Sequence, residues 1–428
     1  MLNLSDQELF ELLTTLIVLG GGCYALYALV RVMKRSRPGF DIGYAIFVAF
    51  GLRVLAAIGL DQLSFAQQLR GGDEIEFLRR ASEVSSLPIS GAESTEYLTS
   101  QLHTFLFSLH YRMFDLPPPD LMLRGEMVLF STIGVLLLAA AVYELAGPRP
   151  ARIVAWLLAV EPATIFFSSL LHKEPLMYLA EGLVVYGGAV LWKRGKLVAL
   201  APMIIGCLIA VATRPYVGWF LTAAAAAVVL HASLTRQRGL QSIALTAICI
   251  ALIAAFLPLA IAESSDDNLR ELQQSQDANV SDGANLSLER VDYSTRGNLI
   301  VNLPKRIRDV IFRPYLWQTA NTSQQLGAIG TLVVLGCLLL LAVALARNRR
   351  ALMPLAAPLI YPAAFMLVAY AISAGNAGTA YRYRTHLVGL AVCLVIVLLA
   401  RRRQEQEGPA RVPARPGLGP VTRTRTAT

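Results

Sequence analysis

The segment Leu197–Ala212 reads LVALAPMIIGCLIAVA, an apolar run that contains no charged side chain. Apolar runs of about 20 residues are long enough to cross a bilayer as a helix. The segment does not alternate between apolar and polar residues, as the strands of a membrane barrel do. Because only helices and closed barrels satisfy their backbone hydrogen bonds inside a bilayer, this pattern indicates a helical membrane protein.

The rest of the 428-residue chain has a similar composition, with 55% hydrophobic residues. We therefore predict an all-α, polytopic integral membrane protein with about eleven transmembrane helices and two long loops on one side. The predicted spans are residues 10–32, 41–60, 125–146, 152–171, 175–192, 197–213, 216–232, 240–262, 326–346, 351–373 and 386–400.

Basic residues lie at alternate ends of these spans, as in Arg31–Arg37, Lys193–Lys196 and Arg401–Arg403. Because Lys and Arg accumulate on the cytoplasmic side, the pattern predicts an outer N-terminus and a cytoplasmic C-terminus. The net charge of +9 then reflects topology and does not indicate nucleic-acid binding. We expect a multi-pass protein of the cell membrane, in contact with membrane lipid.

The predicted spans and loops divide the chain into five regions. They are an additional N-terminal span (1–40), a transmembrane core (41–262) with a first outer loop (61–121), a second outer loop (263–324), C-terminal spans (325–403) and a disordered cytoplasmic tail (404–428).

The first outer loop contains GGDEIEFLRRA at Gly71–Ala81, in which Asp73 and Glu74 are adjacent. Neighbouring carboxylates repel, so one can hold a proton near neutral pH, or both can bind a divalent cation. Either property suits a general base that deprotonates a hydroxyl group. The same residues also suit a solvated helix N-terminus. Asp73 and Glu74 are candidates for catalysis and for a Mg²⁺ or Mn²⁺ site.

A short polar segment, His172-Lys173-Glu174, separates two apolar runs on the predicted outer side. A Lys ammonium there is placed to meet a lipid phosphate, and His172 or Glu174 could position an acceptor or a metal. The alternative is a loop whose side chains extend to the membrane interface.

Arginine residues occur at four further positions that the topology does not require. Arg53 lies inside the second span and Arg214 at the outer end of the sixth, where Glu161, Glu126 or a substrate phosphate are possible partners. Arg382 and Arg384 precede the last span on the outer side, against the positive-inside rule. Their planar guanidinium groups suit phosphate, although alternate residues need not face the same site.

The order of these features resembles the GT-C superfamily of polytopic glycosyltransferases, which use polyprenyl-phosphate-linked sugars. GGDEIEFLRRA resembles the acidic start of that superfamily's first outer loop, and RIVAWLLAVEPATIFFSSLLHKEPLMYLAEGLVVYG resembles its passage between two spans. RDVIFRPYLWQ and NAGTAYRYRTHL are similar to segments of bacterial polysaccharide-assembly members.

The resemblance implies a GT-C-like core in which Asp73 is the catalytic acid/base and Glu74 its partner. It implies that Lys173 and Glu174 form the second-loop motif and that Arg382 or Arg384 contacts the donor phosphate. The chain departs from the pattern at Phe77, where the family often has Tyr, and at Glu174, where Asp is more common.

Together these features predict sugar transfer from a polyprenyl-phosphate donor to a glycan, lipid or protein acceptor on the extracytoplasmic face. Cations would stabilise the charge on the leaving phosphate. A polysaccharide polymerase or ligase of O-antigen type would instead use Arg306, Arg308 and Arg313 of the second loop. A transporter or flippase without chemistry is the third hypothesis, although transport sites lie near the membrane midplane and these charges gather at one face.

Overall fold

The structure, a computed structural model, describes residues 5–63, 72–114, 117–235, 270, 273–274, 277, 291–292, 295–318, 322–348 and 352–407. These residues form helices and no strand, which confirms the all-α prediction. The longer helices are α1 (Asp6–Arg35), α2 (Gly43–Gln62), α3 (Gly72–Ser85), α4 (Ala92–Ser100), α5 (Leu102–Met113), α6 (Asp120–Ala146), α7 (Pro148–Val160), α8 (Pro162–Ser168), α9 (Glu174–Arg194), α10 (Leu200–Thr213), α11 (Pro215–Thr235), α12 (Arg296–Phe312), α13 (Thr322–Asn348), α14 (Leu352–Ser373) and α15 (Ala377–Glu407).

Eight of the described helices are long and apolar enough to cross a membrane, namely α1, α2, α6, α9, α11, α13, α14 and α15. The bent pair α7 and α8 adds a ninth if the two helices form one span. The apolar segment 197–213 is helical but shorter than these spans. The predicted span 240–262 lies outside the described residues. These helices fit a multi-pass membrane protein, and eleven spans stay a prediction.

The predicted span 152–171 is not one straight helix, because α7 and α8 are bent by 62° around Glu161. Pro162 lacks an N–H group, so the carbonyl of Leu158 loses its helical donor. Arg53 of α2 replaces that donor, with its Nη2 3.2 Å from Leu158 O. The Glu161 carboxylate accepts backbone N–H groups from the first turn of α8 and caps that helix.

The spans α6 and α9 are the most buried of the described helices, and they approach each other at glycines. A Cβ atom on Gly134 would lie 2.5 Å from Tyr178 O, which is closer than side-chain carbons pack. Gly182 makes the reciprocal approach, since its Cβ would lie 2.9 Å from Gly134 O. Small residues at such positions allow membrane helices to pack backbone against backbone.

We expect Gly134→Ala to destabilise the protein by about 1–3 kcal/mol, because the added methyl group forces α6 and α9 apart. The control is Gly51→Ala on α2, where an added Cβ meets nothing within 4 Å. Thermal unfolding in detergent should show a loss for Gly134→Ala alone. Equal midpoints for both variants would contradict the close approach.

The two ends of α9 have different surroundings. Arg194 is the final residue of α9, and its Nε lies 2.7 Å from Glu144 Oε2. Arg37 Nε lies 2.9 Å from the other oxygen of the same carboxylate, Glu144 Oε1. Since α9 has 21 residues, these groups lie about 31 Å from Glu174 at its first residue. The basic residues predicted to face the cytoplasm and the residues predicted for the site therefore lie at opposite ends of the bundle.

The helical parts of the first outer loop are α3, α4 and α5. Arg112 of α5 donates to Leu87 O at 2.6 Å and to Val84 O at 2.5 Å. Both carbonyls lie at the C-terminal end of α3, so Arg112 closes that end and joins the two loop helices.

The last helix begins earlier and ends later than the sequence predicts. The segment Tyr381–His386, predicted to precede the span 386–400, belongs to the first turns of α15. The helix continues to Glu407, so residues 404–407 of the predicted disordered tail are helical. Residues 408–428 lie outside the described residues.

Candidate functional site

A cavity of about 230 Å³ opens at the Glu174 end of α9. Its walls come from α3, the segment before α9, the junction of α10 and α11, and the facing ends of α14 and α15. Its lining residues are Asp73, Phe77, His172, Lys173, Glu174, Arg214, Tyr216, Ser373, Gly375, Thr379, Arg382 and Tyr383. Six of the nine residues predicted for the site are among them, and Glu74, Arg53 and Arg384 are not.

Arg382 joins Asp73 to His172 at one side of the pocket. Its Nη1 lies 2.9 Å from Asp73 Oδ2 and 2.8 Å from His172 Nδ1. A guanidinium group can only donate, so Nδ1 accepts and His172 is neutral with its proton on Nε2. Burial, followed by the charge of Arg382, lowers the pKa of His172, in agreement with a neutral ring. The Asp73 side chain is 54% exposed, so a ligand can reach its carboxylate.

Glu174 and Arg214 form a buried ion pair in the wall of the same pocket. Arg214 Nη2 lies 2.6 Å from Glu174 Oε1, and their side chains are 7% and 0% exposed. The guanidinium also lies over the ring of Tyr383, 4.6 Å from its centroid. This cation–π contact and the ion pair hold Arg214 in a defined position.

Each member of this pair keeps an unused polar atom. Glu174 Oε2 and Arg214 Nη1 are buried and have no hydrogen-bond partner within the described part of the chain. The nearest ring nitrogen, His172 Nδ1, is 3.8 Å from Glu174 Oε2, which is too far for a hydrogen bond. The ion pair therefore leaves one acceptor atom and one donor atom unsatisfied on two residues that line the pocket.

Lys173 supplies a cation that forms no ion pair with a carboxylate of the described residues. Its Nζ lies 5.7 Å from the centre of the Phe77 ring, and no carboxylate oxygen of the described residues lies within 4.0 Å of it. Burial, followed by the positive charge of Arg214, lowers the pKa of Lys173 to about 8. Because Arg214 and Arg382 are each paired with one carboxylate, the pocket is net positive at neutral pH and attracts an anion.

The structure separates Glu74 from Asp73. Glu74 Oε2 lies 2.6 Å from Arg124 Nη2, and Glu74 Oε1 accepts the Leu171 N–H at 2.8 Å. Both charged side chains are almost fully buried. Adjacent positions on a helix point about 100° apart, so one acid faces the pocket and the other faces the protein interior. Glu74 therefore does not line the pocket, although the sequence predicts it as a site residue.

Arg53 and Arg384 contact backbone carbonyls instead of the pocket. Arg53 is fully buried and donates to Ala49 O at 3.0 Å, besides its bond to Leu158 O. Arg384 Nη1 donates to Ile311 O at 3.0 Å. Since residues two apart on a helix face about 200° apart, Arg384 points away from the pocket that Arg382 lines. Arg53 and Arg384, which the sequence predicts as substrate contacts, therefore donate to the backbone of the protein itself.

The donor set does not fit the predicted divalent cation. Within the described ranges, no group of three or more His, Cys, Asp or Glu side chains is placed to hold a metal ion. Asp73 faces a guanidinium group, and Glu74 points away from it into its own ion pair. No step of the chemistry is assigned to a metal at this position.

The sequence distinguishes the residues in and around the pocket unequally. Tyr216 follows Arg214-Pro215 at a short break between apolar helices, where an aromatic residue beside a charge is a signal of a site. Ser373 and Gly375 lie at the end of a span and have no distinguishing pattern. The sequence shows Arg124 beside an apolar run, but it does not show that Glu74 is the buried partner of this arginine.

Comparison of the chain with protein-family models, with curated protein sequences and with solved structures finds no match. The function is therefore inferred from the residues of the pocket.

Proposed function

We propose that this pocket transfers a sugar from a polyprenyl-phosphate donor to an acceptor hydroxyl group. One observation supports the proposal most. The accessible carboxylate of Asp73 lies in the same cavity as the cations Lys173, Arg214 and Arg382, which come from three distant segments. A base for a hydroxyl and cations for a phosphate are the two requirements of this reaction.

In the proposed mechanism, Lys173, Arg214 and Arg382 bind the donor phosphate. Asp73 accepts the proton of the acceptor hydroxyl while that oxygen attacks the anomeric carbon. The bond between the acceptor oxygen and the sugar forms, and the bond between the sugar and the phosphate oxygen breaks. The polyprenyl phosphate leaves with its charge stabilised by the cations.

The pair between Asp73 and Arg382 gives this mechanism an order. Arg382 Nη1 is 2.9 Å from Asp73, so a donor phosphate competes with the carboxylate for that guanidinium. Donor binding then weakens this ion pair and leaves the exposed Asp73 carboxylate open to the acceptor hydroxyl. In the proposed order, the donor binds before the acceptor hydroxyl reaches Asp73.

Asp73→Asn is the test of this proposal. In purified protein with polyprenyl-phosphate sugars, release of free polyprenyl phosphate should fall by about 10²-fold or more, since the amide cannot take the proton. The matched control is Glu83→Gln on the same helix, whose exposed carboxylate contacts Arg79. Turnover that is unchanged in Asp73→Asn would remove this residue from the mechanism.

The pH dependence of donor binding should follow Lys173. Its pKa is lowered to about 8, so the ammonium charge is present below that pH and is lost above it. Donor affinity is expected to fall by up to about tenfold for each further pH unit. Lys173→Arg keeps its charge over this range and should flatten the profile. Equal slopes in both proteins, measured by equilibrium binding of polyprenyl phosphate, would exclude Lys173 as the titrating group.

The polymerase or ligase hypothesis relies on cations that lie elsewhere. Arg308 and Arg313 both approach Asp309 Oδ1, at 3.0 Å and 3.5 Å, and neither they nor Arg306 line the pocket. A transporter without chemistry would bind the donor but release no free polyprenyl phosphate. The Asp73→Asn experiment therefore distinguishes both alternatives from the proposed transfer.

A further inference from the structure

Glu181 of α9 and His386 of α15 form a pair of ionisable side chains inside the helix bundle. Both are 0% exposed, and His386 Nδ1 lies 3.1 Å from Glu181 Oε2. Neither residue lines the pocket. At this distance the two atoms form a hydrogen bond, so a proton lies between them.

The polar atoms of the pair that lie outside this hydrogen bond have no hydrogen-bond partner among the described residues. Glu181 Oε1, His386 Nε2 and the hydroxyl oxygen of Tyr370 are buried without a hydrogen-bond partner among the residues described. With one shared proton the pair carries a single negative charge, and with a second proton it is neutral. Because an ionised group inside a membrane is costly, its surroundings favour the neutral state.

An aromatic layer connects this pair to the pocket. The ring of Tyr370 stacks on His386 at 5.8 Å between centroids, and on Tyr383 at 4.5 Å. Tyr383 lines the pocket and lies beneath the Arg214 guanidinium. Glu181 follows Glu174 by seven positions on α9, so it lies on the same helical face about 10 Å deeper.

The charged and titratable groups around the pair come from several helices. The charges of Glu174 and Arg214 both act on His386. Tyr178 of α9 packs against the imidazole in a tilted arrangement, with ring centroids 4.1 Å apart. Tyr370 of α14 and Cys393 of α15 are within electrostatic range of Glu181.

We propose that Glu181 and His386 form a proton-binding site within the membrane, which takes up a proton when an anion fills the pocket. An anion beside Arg214 offsets part of the positive potential that this guanidinium exerts on His386. The pair of Glu181 and His386 then binds its second proton more strongly than when the pocket holds no anion. The site goes beyond the proposed function, because its proton binding does not depend on sugar transfer.

The proton site is tested by infrared difference spectroscopy of the full chain in lipid nanodiscs across a pH titration. We expect a protonated carboxyl or imidazolium signal that titrates in the wild type and disappears in Glu181→Gln. The matched control is His231→Gln at the far end of α11, where a half-buried histidine bonds Tyr361. No such signal in the wild type, or an unchanged signal in Glu181→Gln, would overturn the proposal.

The coupling is tested by calorimetric binding of polyprenyl phosphate in buffers with different ionisation enthalpies. Proton uptake approaching one per bound anion is expected for the wild type and for His231→Gln, and much less for Glu181→Gln. Equal uptake in all three proteins would overturn the coupling. If polyprenyl phosphate does not bind the wild type, the proposed function fails, and the infrared titration still decides whether the pair binds a proton.

Discussion

Glu74→Gln is expected to destabilise the protein by about 3–5 kcal/mol, because it leaves the Arg124 guanidinium buried without its carboxylate. The two side chains are 1% and 0% exposed, so water cannot replace the lost partner. The loss should appear as a lower midpoint of thermal unfolding in nanodiscs, together with less folded protein. Donor turnover per folded molecule should change far less.

The adjacent residue provides the control for this prediction. Asp73→Asn removes one carboxylate charge from the same turn of α3, but this side chain is 54% exposed and its ion pair contributes little to stability. A double variant, Glu74→Gln with Arg124→Met, removes both buried charges and should recover much of the lost stability. If Glu74→Gln unfolds at the same temperature as Asp73→Asn, the buried pair does not hold the loop helix in place.

Glu174→Gln should impair both folding and donor binding. Arg214 would remain in a position where its side chain is 7% exposed and its carboxylate partner is gone. We expect a loss of about 3–5 kcal/mol from this unpaired charge. Donor affinity should fall as well, because Glu174 fixes the position of the Arg214 guanidinium, which is proposed to bind the donor phosphate.

The double variant Glu174→Gln with Arg214→Gln separates these two effects. Removing both charges should restore much of the unfolding midpoint, whereas turnover should stay low because a phosphate-binding cation is missing. Full recovery of turnover in the double variant would contradict the assignment of Arg214 to the donor phosphate. An unchanged midpoint in Glu174→Gln would show that the ion pair does not support the fold.

The helical membrane architecture could be predicted from the sequence, since apolar runs such as Leu197–Ala212 leave the backbone few alternatives. The 62° bend between α7 and α8 is harder to predict, although Pro162 indicates a break. Its stability depends on Arg53, a residue more than 100 positions away in the chain. Local pattern identifies a buried arginine as important but does not identify its partner.

The composition of the pocket could also be predicted in part. Polar residues at the ends of apolar runs, such as His172, Lys173 and Arg214, indicate the face of the membrane at which a site forms. The rotation of successive residues about the helix axis then determines which side chains point into the site. From the sequence, Arg382 and Arg384 are equivalent candidates, whereas in the helix they point in nearly opposite directions.

The same argument applies to the acidic cluster. Asp73 and Glu74 are adjacent, and their chemistry in the sequence is alike. The difference between them arises from Arg124 of α6, which provides a buried partner for one acid and not for the other. Such a contact between distant segments is a tertiary property, and repulsion between neighbouring carboxylates gives no information about it.

The bond from Arg382 to Asp73 joins residues that are 309 positions apart in the chain. During translation, α3 leaves the ribosome long before α15 is made. The nascent protein therefore carries the Asp73 carboxylate without this guanidinium beside it until α15 is made. A polypeptide released before Ala377 would lack the wall of the cavity that α15 provides, so the pocket is assembled only after α15 joins the bundle.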